Sequence, residues 1–297
     1  MDQAEGLRLL KDSFPPAEPG SVLPKPILRC PRVISVTSGK GGVGKTNVVA
    51  NLGLALARQG KQVLIMDADL GLANIDVLLG LTTRYTIEHL LRREKGVADI
   101  LIKGPSGMTI MPAASGVLEL VDLNESQKIF LLNEFDQIAD TFDMLLIDTG
   151  AGISSNVLYF NMAAPESIII ATPEPTSITD AYAVIKVLSN KFRKKRFMIL
   201  INLASGAHEA KEVFKKINMV VDRFLGSLSL DYLGFIPLDE NIPKAVKLQR
   251  AVLEAFPRTA FSKSITELAQ TISERPMIQT GSGNVQFFWK QLLQYHV

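Results

Sequence analysis

The chain reads Ser38-Gly39-Lys40-Gly41-Gly42-Val43-Gly44-Lys45-Thr46 directly after a short apolar run. This segment matches G-x-x-x-x-G-K-[ST] between a predicted strand and a predicted helix, which is the context that a phosphate-binding loop requires. Its glycines let successive backbone N–H groups point inward at a helix N-terminus, where they bind an anion. Lys45 is expected to reach the β- and γ-phosphates, and the Thr46 hydroxyl to bind Mg²⁺. The alternative, a glycine-rich turn, is disfavoured because motif and context agree.

Strand-like and helix-like patterns alternate on both sides of this loop. Most predicted strands are short apolar runs, as expected when helices cover both faces of a sheet. The strands are predicted at Val33–Thr37, Gln62–Met66, Met108–Pro112, Asp143–Asp148, Ser167–Thr172, Phe197–Asn202 and Leu228–Ile236. The main helices are predicted at Lys45–Gln59, Gln127–Asp140, Ser177–Phe192 and Glu209–Arg223. The alternation predicts an α/β P-loop NTPase fold, a mostly parallel twisted sheet with helices on both faces.

Composition excludes several classes of protein. With 297 residues, 47% of them hydrophobic, and a net charge of +2, the chain is globular and lacks the positive excess typical of nucleic-acid binding. Its one cysteine, Cys30, can form neither an internal disulfide nor a cysteine-cluster metal site, which favours a reducing cytosol. His89, His208 and His296 lack metal-ligand spacing. No apolar stretch reaches the ~20 residues that span a bilayer, and the acidic N-terminus is not a secretory signal. We therefore expect a cytoplasmic protein.

Four segments follow from the pattern along the chain. Residues 1–13 could form one short helix, and residues 14–31 form a proline-rich linker. Residues 32–275 form the predicted P-loop domain. Residues 284–297 form a last amphipathic helix after a Gly-Ser break. The basic run Arg193-Lys194-Lys195-Arg196 is interpreted first as a solvated helix end, and second as a lipid or nucleic-acid patch.

Three aspartates lie at the ends of predicted strands. Asp67 and Asp69 follow the second strand, and Asp148 ends the strand at Asp143–Asp148. Ligands bind at the carboxyl edge of such sheets, so these carboxylates are expected near the phosphate loop. Each could instead be a helix cap or turn residue, but the occurrence of three such aspartates in the right order argues against that alternative.

The early lysine of the loop carries a family resemblance. The sequence K-G-G-x-G-K-T resembles the deviant Walker A box of the MinD/ParA family. A second stretch, D-x-D-x-G-L-x-N from Asp67 to Asn74, resembles the motif that the same family carries after the second strand. The resemblance implies an ATP- and Mg²⁺-dependent ATPase in which Lys40 reaches the partner's nucleotide in a homodimer. It also implies that Asp69 orients the attacking water and that Asp67 and Asp148 lie close to the metal with Thr46.

The same resemblance implies a nucleotide-binding set. The phosphates would contact the loop, and the base would contact an asparagine and a proline-containing loop farther along the chain. Asn202 and Pro237-Leu238-Asp239 occupy those places, although Leu203 follows where the family often has arginine. The implied set is Gly39, Lys40, Gly41, Gly42, Val43, Gly44, Lys45, Thr46, Asn47, Asn202, Pro237, Leu238 and Asp239.

The last segment has two possible roles. An apolar face that includes Val285, Phe288, Trp289, Leu292 and Leu293 could lie in a membrane interface or dock on the protein's own core. A single lysine on the polar face predicts weak attraction to anionic lipid. Resemblance to MinD-type proteins, which end in a targeting helix, favours membrane binding, and docking in one nucleotide state with release in another would satisfy both.

The N-terminus resembles one group within the family. Asp2-Gln3-Ala4-Glu5-Gly6-Leu7-Arg8 is similar to the opening motif of FlhG (FleN) regulators of flagellar number. The resemblance implies activation of the signal-recognition-type GTPase FlhF, with Gln3 supplied to the partner's active site, Leu7 and Arg8 docking the helix, and Asp2 opening the motif. An incidental start sequence is the alternative.

The leading hypothesis is therefore a slow ATPase that dimerises with ATP and associates reversibly with the inner face of the cytoplasmic membrane. Flagellar switch proteins or a flagellar transcription regulator are further expected partners, and no direct nucleic-acid contact is expected. An ATPase of this family that positions a division site or a DNA or protein cargo is the alternative. A metabolic kinase would not need Lys40, an iron–sulfur carrier needs more cysteines, and a scaffold would bind ATP without hydrolysis.

Overall fold

A computed structural model describes residues 31–69, 75–112, 124–226, 228–276 and 288–289. Within these ranges one sheet contains eight strands. They are β1 (Arg32–Ser38), β2 (Val63–Ala68), β3 (Ile102–Lys103), β4 (Thr109–Met111), β5 (Met144–Ala151), β6 (Glu166–Ala171), β7 (Arg196–Ala204) and β8 (Ser229–Pro237). Their order across the sheet is β3-β4-β2-β5-β1-β6-β7-β8.

All neighbouring strands are parallel except β3 and β4, which are antiparallel. β1 lies in the centre between β5 and β6, so the loop after β1 is flanked by the carboxyl ends of both neighbours. That edge is where open α/β sheets bind their ligands.

Helices cover both faces of the sheet. The described helices are α1 (Lys45–Arg58), α2 (Ile75–Leu78), α3 (Ile87–Leu91), α4 (Val97–Ile100), α5 (Glu125–Ala139), α6 (Ser155–Ala163), α7 (Pro175–Phe192), α8 (Ala207–Leu225), α9 (Asn241–Lys247), α10 (Val252–Ala255) and α11 (Ala260–Glu274). Alternate strand residues point to opposite faces: Ile34 packs with α1 and α11, whereas Val33 packs with α3 to α6. α7 and α8 cover the remaining part of that second face. The predicted fold class is confirmed.

The predicted elements differ from the observed ones mainly at their ends. α6 was not among the predicted helices because its residues are apolar almost all round and lack a polar stripe. β3 was not predicted because a strand of two residues is too short to show an apolar pattern. The segments 1–13 and 14–31 lie outside the described residues except for Pro31, and 284–297 except for Phe288 and Trp289. Among the described helices, none is long and apolar enough to cross a membrane.

The amino-terminal edge of the sheet holds a buried polar cluster. Arg32 donates through Nε to Glu166 Oε1 at 2.7 Å and through Nη2 to Oε2 at 2.6 Å, and its Nη1 donates to the carbonyls of Ile272 and Arg275. Lys194 Nζ donates to Ser167 Oγ at 2.6 Å and to the carbonyls of two residues, Ala164 at 2.7 Å and Asn161 at 2.8 Å. The interpretation of the basic run as a solvated helix end is therefore wrong for Lys194, while its three neighbours are exposed.

Candidate functional site

The phosphate loop joins β1 to α1 as the sequence predicts. Gly42 and Gly44 both have φ of 80°, in the left-handed region that favours glycine. A Cβ on Gly41 or Gly42 would meet no atom within 4 Å, so the backbone there borders open space. The loop therefore presents its N–H groups at the start of α1 without a side chain in the way.

Gly39 has a different structural reason. A Cβ at this position would lie 2.2 Å from the backbone carbon of Asp180, on α7. No rotamer change relieves contact with a backbone atom, so any side chain at position 39 would displace the loop or the helix. Gly39 thus fixes the loop against α7 rather than opening it to a phosphate.

Lys45 and Asp148 form a buried ion pair at the base of the loop. The Nζ–Oδ1 distance is 2.5 Å, and both side chains are almost wholly buried. Burial raises the pKa of the Asp148 carboxyl above its ordinary value, while Lys45 and Thr46 oppose that rise. Asp148 Oδ2 is buried and has no hydrogen-bond partner among the described residues. An acceptor of this kind fits a metal-bound water or Mg²⁺ itself.

The two earlier aspartates differ in their surroundings. Asp67 pairs with Asp148 in the register of β2 and β5, and its carboxylate accepts from the backbone N–H groups of Asp69 and Ile75. It therefore organises the turn after β2 as well as lying beside Asp148. Asp69 is partly exposed and lines the cavity beside the loop.

Lys40 lies at the rim of the loop, and its ammonium group contacts α7. Nζ donates to Glu174 Oε2 at 2.7 Å and to Thr176 Oγ1 at 3.3 Å. The pair is solvent-accessible, since 42% of the lysine side chain and 63% of the glutamate side chain are exposed. Glu174 is a contact that sequence reasoning missed.

Asn202 supports the loop from behind. Its Nδ2 donates to the carbonyl of Val43 at 2.7 Å, and a Cβ on Gly44 would lie 2.6 Å from that nitrogen. Asn202 Oδ1 is buried without a partner among the described residues, so it remains able to accept a hydrogen bond. The register of β7 shifts between Asn202 and Ala204, and the intervening Leu203 has φ of 58°. Bulges of this kind re-aim side chains near functional sites.

The loop after β8 lies at the same edge but is tied to other elements. Asp239 accepts from Asn241 N at 2.9 Å and from Phe261 N at 3.3 Å. Burial opposes ionisation, but donors from Asn241, Phe261 and Thr259 together hold the pKa of Asp239 below its usual value. Leu238 is 69% exposed, and Pro237 is half-buried. None of these three residues lines the cavity beside the loop.

That cavity has a volume of about 580 Å³, within the range of small-molecule sites. Its lining residues are Ser38, Lys40, Gly41, Gly42, Val43, Gly44, Lys45, Thr46, Asn47, Asp69, Val77, Leu78, Ala151, Val246 and Gln249. The structure thus gathers most of the predicted phosphate-loop set, with Gly39, Asp148 and Asn202 supporting it from behind. Val77, Leu78, Val246 and Gln249 were not predicted, since no motif marks them.

The lining fits a magnesium–nucleotide. Lys45 and the N–H groups of the open loop backbone suit phosphates, and Thr46 with the unpartnered oxygen of Asp148 would hold the metal or its water. The described residues contain no group of three His, Cys, Asp or Glu side chains that could hold a metal. Phosphate oxygens and water would therefore supply most ligands, as is usual for Mg²⁺. The metal would neutralise charge on the phosphates.

Phe288 and Trp289 do not line this cavity; they pack on the face of the sheet covered by α3 to α6. They are 0% and 1% exposed, and Trp289 stacks on Phe135 of α5 with ring centroids 3.7 Å apart. Trp289 Nε1 has no acceptor among the described residues. These two of the five predicted membrane-facing residues therefore contact the protein's own core; Val285, Leu292 and Leu293 lie outside the described residues.

Comparison with known proteins agrees with this geometry. Residues 29–273 match the family model described as ParA, NUBPL iron-transfer P-loop NTPase. Antiactivator FleN of Pseudomonas aeruginosa is 46% identical over 89% of this chain and 94% of its own length. Flagellum site-determining protein YlxH of Helicobacter pylori is 32% identical over 89% of this chain and 90% of its own.

Solved structures share the fold. A chain of the MinC:MinD cell division complex of Aquifex aeolicus is 28% identical, with a TM-score of 0.63 over 84% of this chain and 98% of that one. MinD of Pyrococcus horikoshii complexed with Mg-ADP has a TM-score of 0.65 over 82% and 96%, and at 24% identity it shows the fold alone. Members of this family are ATPases. The chain belongs to the ParA/MinD family of P-loop ATPases, within its FleN/FlhG group.

Proposed function

We propose that this protein is an ATP-dependent dimerisation and membrane-association switch that regulates flagellar number and placement. The observation that carries the proposal is the pairing of an open nucleotide cavity with Lys40, whose ammonium lies at the cavity rim rather than inside it. A lysine at the rim can contact the nucleotide that is bound to a second copy of the chain. The names of the FleN and YlxH relatives support the flagellar role.

The surface around the cavity supports self-association. Val77 and Val246 line the cavity and are 57% and 39% exposed, and Ile153 and Leu248 are also exposed. Exposed apolar side chains grouped around a ligand site are typical of a surface that a partner covers. In the proposed dimer the two nucleotides lie between the chains, and hydrolysis separates the chains again. Asp69, next to Gly150 at the end of β5, would orient the attacking water.

The docked aromatic pair supports reversible membrane association. Burial of Trp289 removes a large apolar surface from water, but it leaves the indole N–H without an acceptor among the residues that the structure describes, and an unpaired buried donor costs about 1–3 kcal/mol. A bilayer interface accepts both the ring and its N–H group. We propose that residues 284–297 dock in the monomer and insert into the membrane in the ATP-bound dimer.

The partners follow from the chain's two flanking segments and from its relatives. Asp2, Gln3, Leu7 and Arg8 would stimulate an FlhF-type GTPase, with Gln3 entering its active site. The name antiactivator supports a flagellar transcription regulator as another partner, beside flagellar switch proteins. Location would alternate between the cytoplasm and the inner face of the membrane.

Light scattering after size exclusion, with ADP or ATP and with or without liposomes, tests the switch. We expect a monomer with ADP, a dimer with ATP, and a persistent ATP dimer for Asp69→Ala, because hydrolysis would no longer separate the chains. Lys40→Ala should lose the dimer-dependent ATPase, whereas the exposed Lys216→Ala serves as a matched control. A monomer under every condition would refute the proposal.

Deletion of residues 284–297 should abolish liposome co-sedimentation, and Gln3→Ala should abolish only GTPase stimulation.

A further inference from the structure

Exposed positive charge is concentrated at one corner of the sheet, where α7 ends and β7 begins. The sequence has no aspartate or glutamate between Ala181 and His208. Within that stretch, the cationic side chains on either side of Lys194 are exposed, and none of them forms an ion pair with a described residue. These residues, the basic corner, are Lys191, Arg193, Lys195 and Arg196. Since the whole chain has a net charge of only +2, the corner is a local excess.

Lys194 fixes the backbone on which the basic corner is presented. Its Nζ donates to three acceptors within residues 161–167. Just before it, Arg193 ends α7 in the left-handed conformation, with φ of 59°. Just after it, the carbonyl of Lys195 accepts from Ser229 N, the first residue of β8, at 2.8 Å. The exposed cations therefore project from a backbone that is hydrogen-bonded to its neighbours, while Lys194 alone turns inward.

The basic corner lies where the chain leaves the ATPase domain. β1, β6, β7 and β8 begin at the same edge of the sheet. A cavity of about 260 Å³ at that edge is lined by Arg196 together with Arg275 and Pro276, the two residues that follow α11. Asp231 also lines the cavity, but its carboxylate lies 3.6 Å from the guanidinium of Arg275. The segment that leads to residues 284–297 thus starts beside the basic corner.

This position bears on the membrane association proposed above. Residues 277–283 span at most about 25 Å, so insertion of residues 284–297 would hold this edge of the sheet within reach of the lipid headgroups. The inserted segment brings little positive charge of its own, because Lys290 is its single lysine and it has no arginine. Attraction to an anionic bilayer falls off within about 8 Å at physiological salt, so cations elsewhere on the domain contribute little.

We propose that the basic corner is a second membrane contact, which binds the anionic headgroups of the bilayer that receives residues 284–297. This inference rests on the proposed membrane association. Residues 284–297 supply the apolar contact and the basic corner supplies the electrostatic one. Stable anchoring of a peripheral protein commonly combines two signals of this kind. The position beside the inserting segment favours lipid over nucleic acid as the partner of the basic run.

The size of the effect follows from the number of charges. Each lysine or arginine close to an anionic bilayer strengthens binding by about fivefold. Removing three such charges would weaken binding by roughly a hundredfold for each chain if all three reach the headgroups, and by less if they reach them only in part. We therefore expect a loss of about 10- to 100-fold.

The triple variant Arg193→Gln/Lys195→Gln/Arg196→Gln tests the proposal in the full-length protein with ATP. Lys194 is kept, because its ammonium holds the backbone. The matched control is Lys211→Gln/Lys216→Gln/Lys263→Gln, which removes the same charge from exposed lysines of α8 and α11 that precede the last two turns of either helix. Flotation measures binding to vesicles of phosphatidylcholine alone and of phosphatidylcholine mixed with phosphatidylglycerol.

We expect the triple variant to bind the vesicles that contain phosphatidylglycerol about 10- to 100-fold more weakly than the unmodified protein, and the control to bind them as the unmodified protein does. On phosphatidylcholine alone all three proteins should bind equally. The loss should shrink between about 0.05 and 0.5 M salt, since screening weakens the attraction. ATP-dependent dimerisation, measured by light scattering, should be unchanged, because the basic corner lies at the edge opposite the phosphate loop.

The other outcomes distinguish this inference from the proposed function. If the unmodified protein binds vesicles and the triple variant binds them as tightly, the basic corner has no role while the membrane association stands. An equal loss in the control overturns the inference as well, because total charge would then explain it. Lost binding to a fluorescent DNA duplex with unchanged vesicle binding assigns the corner to nucleic acid instead. If the unmodified protein with ATP binds no vesicles, the membrane association fails, and this inference fails with it.

Discussion

Replacement of Phe135 by alanine should release the C-terminal aromatic pair without touching the nucleotide site. Phe135 is 1% exposed on α5, and its ring forms the surface on which Trp289 stacks. Trp289 also meets the edge of Phe288, at 4.9 Å between centroids. Without the Phe135 ring, Trp289 loses the contact that covers one of its faces.

The size of the effect follows from burial. Removing a buried phenylalanine side chain costs about 3–5 kcal/mol, of which about 0.5–1.5 kcal/mol is ring stacking beyond burial. If the loss falls mainly on docking, the docked-to-released ratio drops by at least a hundredfold. Phe135→Leu, which keeps apolar volume but no ring, should cost about the stacking term and change the ratio by roughly 2- to 12-fold.

The assay is intrinsic fluorescence, because Trp289 is the sole tryptophan of the sequence. In ADP, Phe135→Ala should shift the emission to the red and make it more accessible to acrylamide, and liposome binding should no longer require ATP. Phe261→Ala is the matched control: Phe261 is 0% exposed, but it packs on the opposite face of the sheet. It should lower stability and leave the emission of the folded protein unchanged.

Two results would refute the reasoning. One is a folded Phe135→Ala protein whose emission and quenching match those of the unmodified protein. The other is an equal red shift in Phe261→Ala, which would mean that general loosening, rather than loss of the stacking partner, exposes the tryptophan.

Three further predictions concern the loop and the opposite edge of the sheet. Gly39→Ala should abolish nucleotide binding, because its Cβ would lie 2.2 Å from a backbone atom of Asp180; unchanged affinity in a titration with a fluorescent ATP analogue would contradict this. Glu166→Gln should lower the free energy of unfolding by about 3–5 kcal/mol, since it leaves the buried Arg32 charge without its partner; urea denaturation measures the loss, and a cost below about 1 kcal/mol would contradict it. Burial lowers the pKa of Lys194 to about 7 in the folded protein. Above that pH the unfolded chain therefore binds more protons than the folded protein does. The free energy of unfolding should rise from pH 7 to 9, by up to about 1.4 kcal/mol per pH unit. Lys194→Met should remove that rise in paired urea titrations.

The sequence alone predicted the parts of the site that belong to one continuous motif. Gly39 to Asn47 form such a motif, and the predicted strand ends placed Asp69 and Asp148 at the same edge because parallel strands align there. Glu174 could not be predicted, because its approach to Lys40 depends on β6 lying next to β1 in the sheet. Val77 and Gln249 likewise line the cavity through the tertiary fold alone.

Charge and amphipathicity were weaker guides. Lys194 belongs to a basic run that looks solvated in sequence, yet three acceptors from α6 and β6 surround its ammonium. The apolar face of residues 284–297 allowed both docking and membrane contact, because each buries the same side chains. The sequence could not choose between them, and the structure has Phe288 and Trp289 docked.

The hydrogen bonds from Arg32 to the carbonyls of Ile272 and Arg275 have a practical consequence for distance measurements on the flanking segments. Arg32 begins β1, and its Nη1 lies 3.2 Å from the carbonyl oxygen of Arg275, the residue that follows α11. The first and last residues of the ATPase domain thus lie close together, at the edge of the sheet opposite the phosphate loop. A probe attached before Arg32 and a probe attached after Arg275 are therefore joined to the domain at almost the same place. The distance between the two probes then depends on the conformations of the two flanking segments and not on movements within the domain.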